Sequence, residues 1–348
     1  MLSASRQQAG LAPVPHVPRA RLIAGLVCCA AVVLLTGCAQ FGAYLVPQTM
    51  TLRSGWPEGV PLQAEIPSVP FFSQTENQCG PATMATVLAH TGVAVTPEPL
   101  ERQIYLPARQ GSLQVEMLAA PRRWGRVGYV LAPRYADVLR EVAAGNPVIL
   151  LQDVGEFFTQ WHYAVLTGFN YERGDLYLRS GTEPRQVMPF TAFERSWMKS
   201  GYWAMVVTPP ERIPATATEP GWINAMVGLE RTGNRDATIA GYEAALQRWP
   251  DNLPAAIGLA NQHHERGALL EAALVLRRAV RRHPQSAVAM NNLAQTLSDQ
   301  DRNAEALLQI EEALRLHGPF ESEVLATRQL ILSRMARHTA GNSPAPSQ

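Results

Sequence analysis

The chain has 348 residues, of which 47% are hydrophobic, and 30 basic residues against 29 acidic ones give a formal net charge of +1 at pH 7. A near-neutral chain has no overall electrostatic attraction for phosphate backbones, so nucleic-acid binding is not expected. The length is enough for two modest hydrophobic cores.

The N-terminal segment 1–37 has the features of a secretory signal peptide. Arginines precede the apolar run LIAGLVCCAAVVLL (22–35), which is too short to span a bilayer comfortably. The run is followed by TGC, and the ending LTGC resembles the bacterial lipobox. This resemblance implies cleavage before Cys38 and acylation of that residue, with 38–66 as a lipidated tether. The alternative is a plain anchor or signal peptide with a coincidental cysteine.

The residue after Cys38 indicates which membrane would hold the anchor. Ala39 stands where an aspartate would commonly signal retention in the inner membrane, so the expected location is the outer membrane, facing the periplasm. Loss of 1–37 would remove three arginines and no acidic residue, which lowers the formal net charge to −2. Cys79 would then be the one thiol left outside the lipid site, so no intramolecular disulfide is expected.

The segment QTENQCGPATMATVL (74–88) places Cys79 at the start of a predicted helix. The preceding VPFF (69–72) is typical of a short strand, and the residues after Pro81 have apolar side chains at helical spacing. The helix dipole and the free N–H groups at a helix N-terminus lower the pKa of a thiol. Cys79 is therefore a candidate nucleophile, and the alternative is a small buried residue with no chemistry.

A histidine is the expected general base for this thiol. His162 begins a predicted strand, where an imidazole can take the thiol proton and later protonate a leaving amine. His90 lies eleven residues along the helix and thus ~16 Å from Cys79, which is too far. The adjacent His263 and His264 do not share a helix face, so no metal site is expected.

The strands predicted for an antiparallel sheet are 146–153, 162–170, 175–181 and 202–208.

The order of glutamine, cysteine, helix, strand and histidine resembles the bacterial cysteine peptidase family related to double-glycine leader peptidases. The resemblance rests on PFFSQTENQCGPATMATVL, GNPVILL and HYAVLTGF, and it covers about 67–209. It implies an α+β domain of papain-like fold, with a helix packed on an antiparallel sheet, and no cofactor. It also implies that Cys79 is the nucleophile, His162 the general base and acid, and Gln74 the donor to the oxyanion. Gln78 is the competing donor.

The third catalytic position departs from the family pattern. There the strand after the histidine usually ends in an Asp–Pro pair whose carboxylate orients the imidazole. In this chain the strand ends in LRSG, which puts Ser180 and Gly181 at the matching places. Ser180 can accept the imidazole N–H through its hydroxyl, and Asp175 is a more distant fallback. Both a slower Cys–His dyad and an inactive domain are compatible with this departure.

The sequence after a Pro/Thr/Ala-rich linker (210–218) repeats with a period of 34 residues. Ala245, Ala279 and Ala313 recur at this spacing. The period and its small residues resemble tetratricopeptide repeats, which implies an all-α domain over 219–337 that binds a protein partner. An ordinary helical bundle is the alternative. A capping helix is expected near 320–337 and a disordered tail over 338–348.

Together these patterns predict a lipid-anchored envelope cysteine peptidase with a repeat domain for protein binding. The substrate would be a peptide or protein, cleaved through an acyl-enzyme. Three alternatives stay open: a catalytically inactive peptide-binding lipoprotein, a scaffold that recruits an envelope complex, and an amidase that acts on cell-wall peptides.

Overall fold

The computed structural model describes residues 46–74 and 78–341. The predicted signal peptide and the lipidation residue Cys38 lie outside the described residues. None of the helices in the described part has both the length and the apolar character needed to cross a membrane.

The first region of the described chain alternates short helices with strands. The helices are α1 Pro47–Ser54, α2 Cys79–His90, α3 Pro97–Ile104, α4 Gln114–Ala119, α5 Tyr135–Ala143 and α6 Phe190–Trp197. Short 3-10 turns occur at Pro107–Arg109, Ala120–Trp124 and Met198–Ser200. The strands are β1 Gln63–Glu65, β2 Val127–Val130, β3 Val148–Asp153, β4 Trp161–Asn170, β5 Asp175–Ser180, β6 Glu183–Pro189 and β7 Ala204–Thr208.

The strands form one antiparallel sheet in the order β2-β7-β3-β4-β5-β6. Strand β4 is the longest, at ten residues, and β3 pairs with its first part. Strand β1 pairs with the last three residues of β4, beyond the end of β3. The predicted α+β class and the four predicted strands are confirmed.

The strand predicted over 69–72 is wrong. Pro67 and Pro70 lack the N–H group that a ladder needs, and the paired strand lies upstream at Gln63–Glu65 instead. The segment is held by a side chain: the guanidinium of Arg179 donates to the Val69 carbonyl at 3.3 and 3.4 Å. Strand β6 was not predicted because prolines interrupt its sequence, and it lies at the sheet edge, where proline is tolerated.

Apolar side chains alternate between the two faces of the sheet. In β3, Val148 and Leu150 belong to one core, and Ile149 and Leu151 belong to the other. Helix α2 packs on the second face, and it is buried on all sides from Gly80 to Leu88 because its sequence is apolar or small throughout. Full burial of a side chain such as Leu88 contributes about 1.5–3 kcal/mol.

The rest of the described chain is helical. Three helix pairs recur at the predicted 34-residue period, and a last helix follows them: α7 Glu219–Glu230, α8 Arg235–Arg248, α9 Leu253–Glu265, α10 Leu269–Arg282, α11 Ala287–Asp299, α12 Asn303–Arg315 and α13 Glu321–Gly341. Val324 and Ile331 of α13 are buried in one core with Ile310, so this helix covers the end of the array. Helix α13 continues to Gly341, and the rest of the segment predicted as a tail, 342–348, lies outside the described residues.

The two regions share a hydrophobic core across the segment predicted as a linker. Trp222 and Met226 of α7 belong to the same buried cluster as Tyr129 of β2. The Thr218 N–H donates to the Tyr129 hydroxyl at 3.1 Å, and the Glu141 carboxylate accepts from the N–H and hydroxyl of Thr216 at 2.7 and 2.6 Å. The predicted domain boundaries stay a prediction, but the first repeat is packed on the sheet domain.

Candidate active site

A cavity of about 570 Å³ lies where the start of α2 meets the start of β4. Gln74, Cys79, His162 and Gly181 all line it. The structure therefore brings together the nucleophile, base and oxyanion donor that the sequence predicts. Within the described residues, no group of three or more His, Cys, Asp or Glu side chains is arranged to hold a metal ion.

Cys79 is the first residue of α2 and is partly buried at the cavity wall. Burial raises the pKa of the Cys79 thiol, and the backbone N–H groups of Tyr163, Gly80 and Cys79 itself lower it by less. The net pKa lies above the ordinary thiol value. The lowered pKa expected from the helix terminus alone is thus wrong for the described geometry, because desolvation outweighs the hydrogen bonds.

His162 lies on β4 directly before Tyr163, whose backbone N–H contacts the Cys79 thiol. Its Nε2 is 3.0 Å from the hydroxyl oxygen of Ser180. With Nε2–H donating to this oxygen, Nδ1 is the nitrogen free to accept a proton from the thiol. Burial lowers the pKa of His162, so the ring is neutral at pH 7. These two directions favour a neutral thiol and a neutral imidazole in the resting cavity.

Ser180 occupies the third position at the end of β5. It is the only side chain within the described residues that is hydrogen-bonded to His162. A hydroxyl fixes the ring but carries no charge, so it stabilises an imidazolium less than a carboxylate does. The prediction that Asp175 could orient the imidazole instead is wrong. Asp175 pairs with Asn170 at the other end of β4, about 26 Å along the strand from His162.

Gln74 is held by Gly181, the residue that follows Ser180. Its backbone N–H donates to the Gly181 carbonyl at 2.9 Å, and its side chain is buried in the cavity wall. Among the described residues, the Gln74 Oε1 has no hydrogen-bond partner. The competing donor Gln78 precedes Cys79 at the N-cap of α2, and it is not among the lining residues. Geometry therefore favours Gln74.

One wall of the cavity, residues 109–113, was not indicated by the sequence patterns. Ser112 lies so close to α2 that a Cβ at Gly80 would be 2.2 Å from its hydroxyl oxygen. The Tyr163 hydroxyl donates to the Ser112 carbonyl at 3.2 Å, which connects this wall to β4. The one local signal was the pair Gly111 and Ser112, residue types that favour a loop but do not tell where that loop packs.

We expect Gly80→Ala to destabilise the protein by about 1–3 kcal/mol, because the new methyl group overlaps Ser112 and one of the two elements must move. Gly55→Ala is the matched control, since nothing lies within 4 Å of a Cβ at that position. Urea unfolding of both variants measures the difference. Equal stability of the two variants would show that residues 109–113 do not pack against α2.

The other wall is fixed by Asp153 at the end of β3. Its Oδ1 accepts from the Gly155 and Gln160 N–H groups at 3.0 and 2.9 Å, and its Oδ2 is 3.0 Å from the ammonium of Lys199. Burial raises the pKa of Asp153, but these partners outweigh burial and lower it. Lys199 is the sole lysine of the chain. These contacts hold the connection between β3 and β4 beside His162.

Residues 66–205 match the Peptidase_C39 like family. The match confirms, for this part of the chain, the resemblance stated from the sequence. No curated protein matches the chain.

Parts of the chain are similar to solved structures of different kinds. A Bacillus anthracis protein described as a C39-like peptidase is 16% identical, with a TM-score of 0.37, and the similarity covers 42% of this chain and 97% of that one. MamA is 19% identical, with a TM-score of 0.32, over 35% of this chain and 66% of that one. The TPR2B domain of yeast Sti1 is 13% identical, with a TM-score of 0.32, over 33% of this chain and 97% of that one.

Proposed function

We propose that the chain is a cysteine peptidase that cleaves peptide bonds through an acyl-enzyme. The observation that supports this most strongly is the convergence of Cys79, His162 and Gln74 on one cavity of a Peptidase C39-like domain. Each has the side chain that its role requires: a nucleophile, a base and an amide donor.

In the proposed reaction, His162 Nδ1 takes the thiol proton while the Cys79 sulfur attacks the substrate carbonyl carbon. The carbonyl oxygen becomes an oxyanion, and the Gln74 amide N–H donates to it. The C–N bond then breaks, and the imidazolium gives its proton to the leaving amine. A water molecule, deprotonated by His162, attacks the thioester and releases the acid and the free thiol. Ser180 holds the ring through each step.

The proposal is tested with purified protein and a library of randomised synthetic octapeptides, whose products are sequenced by mass spectrometry. We expect cleavage by the wild-type protein, a covalent acyl adduct on Cys79, and no cleavage by Cys79→Ala. Equal cleavage by Cys79→Ala would overturn the proposed role of the thiol.

A second candidate function is a non-catalytic peptide-binding domain, which the neutral Ser180 partner of His162 favours. Ser180→Asp supplies the missing carboxylate, and Ser180→Asn is a control of similar shape without charge. If orientation and charge at His162 limit a working enzyme, Ser180→Asp should raise kcat by about tenfold over Ser180→Asn. Peptide binding by a wild-type protein that cleaves nothing, with no gain in Ser180→Asp, would establish the binding domain.

We propose further that Cys38 carries a lipid anchor, which holds the protein at the outer membrane on the periplasmic side. The proposal rests on the LTGC motif (35–38) and on Ala39 after it. Cys38→Ser should move the protein from the detergent-soluble envelope fraction to the precursor or soluble pool, because stable anchoring takes more than one acyl chain. Fractionation followed by immunoblotting measures this, and a Cys38→Ser protein of mature size that stays in the membrane fraction would contradict it.

The repeats are proposed to bind a protein partner. A polar surface joins α9 and α11, where Asn261, Asn292 and Gln295 line a shallow cavity of about 240 Å³. Amide side chains can donate to and accept from the backbone of an extended polypeptide.

A further inference from the structure

The connection between β3 and β4 exposes two adjacent aromatic side chains. We call residues 154–160 the aromatic loop. Phe157 is 90% exposed and Phe158 is 88% exposed, and Val154 and Trp161 at the base of the loop are 43% and 49% exposed. A cluster of large apolar side chains in water is a feature that marks a binding surface, whereas single exposed apolar residues are ordinary.

The loop is closed at its base by specific contacts. The Val154 N–H donates to the Gln160 carbonyl at 2.9 Å, next to the two hydrogen bonds that Asp153 accepts. The loop also folds tightly, since a Cβ at Gly155 would lie 1.7 Å from the Phe158 carbonyl oxygen. Buried Asp153 and its partner Lys199 thus maintain a conformation in which both phenylalanine side chains stand in solvent.

The loop borders the candidate active site on the histidine side. Thr159, Gln160 and Trp161 line the cavity together with His162. Phe158 is the residue directly before this wall. In the proposed reaction His162 protonates the leaving amine, so the part of the substrate that follows the cleaved bond leaves along this side.

We propose that the aromatic loop binds a hydrophobic side chain of the polypeptide substrate on the leaving-group side of the cleaved bond. This assignment rests on the proposed peptidase function and makes Phe157 and Phe158 specificity-determining residues. An apolar substrate side chain in contact with both rings removes apolar surface from water on both partners, which favours the complex.

The charge of the loop favours a polypeptide over a lipid surface. Segments that insert into anionic bilayers carry lysine or arginine beside their aromatic residues. The segment 154–161 has neither, and its one charged residue, Glu156, is exposed next to Phe157. A carboxylate at this place opposes contact with an anionic bilayer and has no such effect on a neutral peptide.

The test compares wild-type protein with the double variant Phe157→Ser/Phe158→Ser on the same randomised octapeptides. The matched control is Leu270→Ser/Leu274→Ser, which changes two leucines that are 66% and 63% exposed on α10. We expect wild-type products with hydrophobic residues in the first positions after the cleaved bond. The ratio of kcat/KM between peptides with phenylalanine and with alanine there should be about tenfold or more, and it should fall to about one in the double variant only.

Binding without cleavage separates this assignment from the proposed function. In the Cys79→Ala background, the same phenylalanine peptides should bind more tightly than the alanine peptides, and the loop substitutions should remove the difference. If wild-type protein cleaves no peptide while this loop-dependent binding is present, the proposed peptidase function fails and the loop assignment holds. Cleavage with no preference after the bond, a preference that survives in the double variant, or the absence of both binding and cleavage overturns the assignment. Loop-dependent binding to vesicles of phosphatidylethanolamine and phosphatidylglycerol without any peptide preference overturns it as well.

Discussion

His162→Ala is expected to lower kcat/KM for peptide cleavage by about a thousandfold or more, because the thiol loses its proton acceptor and the leaving amine its proton donor. The effect should be large because Cys79 is not already a thiolate: burial raises its pKa, and its proton must be removed during the attack. Initial rates on a peptide from the library that wild-type protein cleaves measure the loss.

The pH dependence of peptide cleavage and of Cys79 alkylation distinguishes a neutral thiol and imidazole from a preformed thiolate–imidazolium pair. Burial lowers the pKa of His162, so the ring becomes protonated at a more acidic pH than an ordinary histidine, and the acid limb of kcat/KM should lie below the ordinary histidine pKa. Alkylation of Cys79 by iodoacetamide should rise with pH and have its midpoint above the ordinary thiol value of about 8.5. In a preformed ion pair, His162→Ala would raise that midpoint, whereas in a neutral pair the midpoint changes little.

His90→Ala is the matched control for the loss of a histidine. His90 ends α2, its Nε2 lies 3.2 Å from the Gly145 carbonyl, and burial also lowers its pKa. It is not among the residues that line the cavity, so its removal should leave peptide cleavage within about threefold of wild type. Cleavage by His162→Ala at a rate similar to that of His90→Ala would show that another group is the base.

The sequence predicts those parts of the fold whose signals are local. The helix after Cys79 has apolar spacing and a proline in its first turn, and the strands at β3, β4, β5 and β7 have apolar or alternating runs. The segment 69–72 has the same apolar character but is not a strand. Pairing depends on backbone N–H groups that its prolines lack, and the paired strand β1 is more polar.

In the candidate site, too, sequence motifs predicted some features, whereas features that depend on contacts between distant parts of the chain were missed. The family resemblance, which rests on the chain order of these motifs, predicted that Gln74, Cys79, His162 and Ser180 lie together. The ion pair of Lys199 with Asp153 could not be predicted, because the two residues lie 46 positions apart in the chain and no local pattern connects them. The sequence also could not predict the direction in which the pKa of Cys79 shifts, since the shift depends on how deeply the folded domain buries the thiol.

Gln74→Ala is expected to slow acylation by about 100- to 1000-fold, which is the usual effect of removing one oxyanion donor. Its Oε1 has no hydrogen-bond partner among the described residues, so the substitution removes no bond at that atom and should change stability little. The loss should therefore appear in kcat, in a protein that still unfolds in one transition. Single-turnover acylation with excess enzyme measures this step directly.

Two control experiments test whether the oxyanion donor is specifically Gln74. Alkylation of Cys79 by iodoacetamide forms no tetrahedral oxyanion, so Gln74→Ala should alkylate at nearly the wild-type rate while its acylation fails. Gln78→Ala tests the competing glutamine at the N-cap of α2, and we expect it to keep acylation within about tenfold of wild type. If Gln78→Ala fails in acylation and Gln74→Ala does not, the donor is Gln78. If both variants acylate normally, the oxyanion is stabilised by backbone N–H groups at the start of α2, where the helix dipole also favours negative charge.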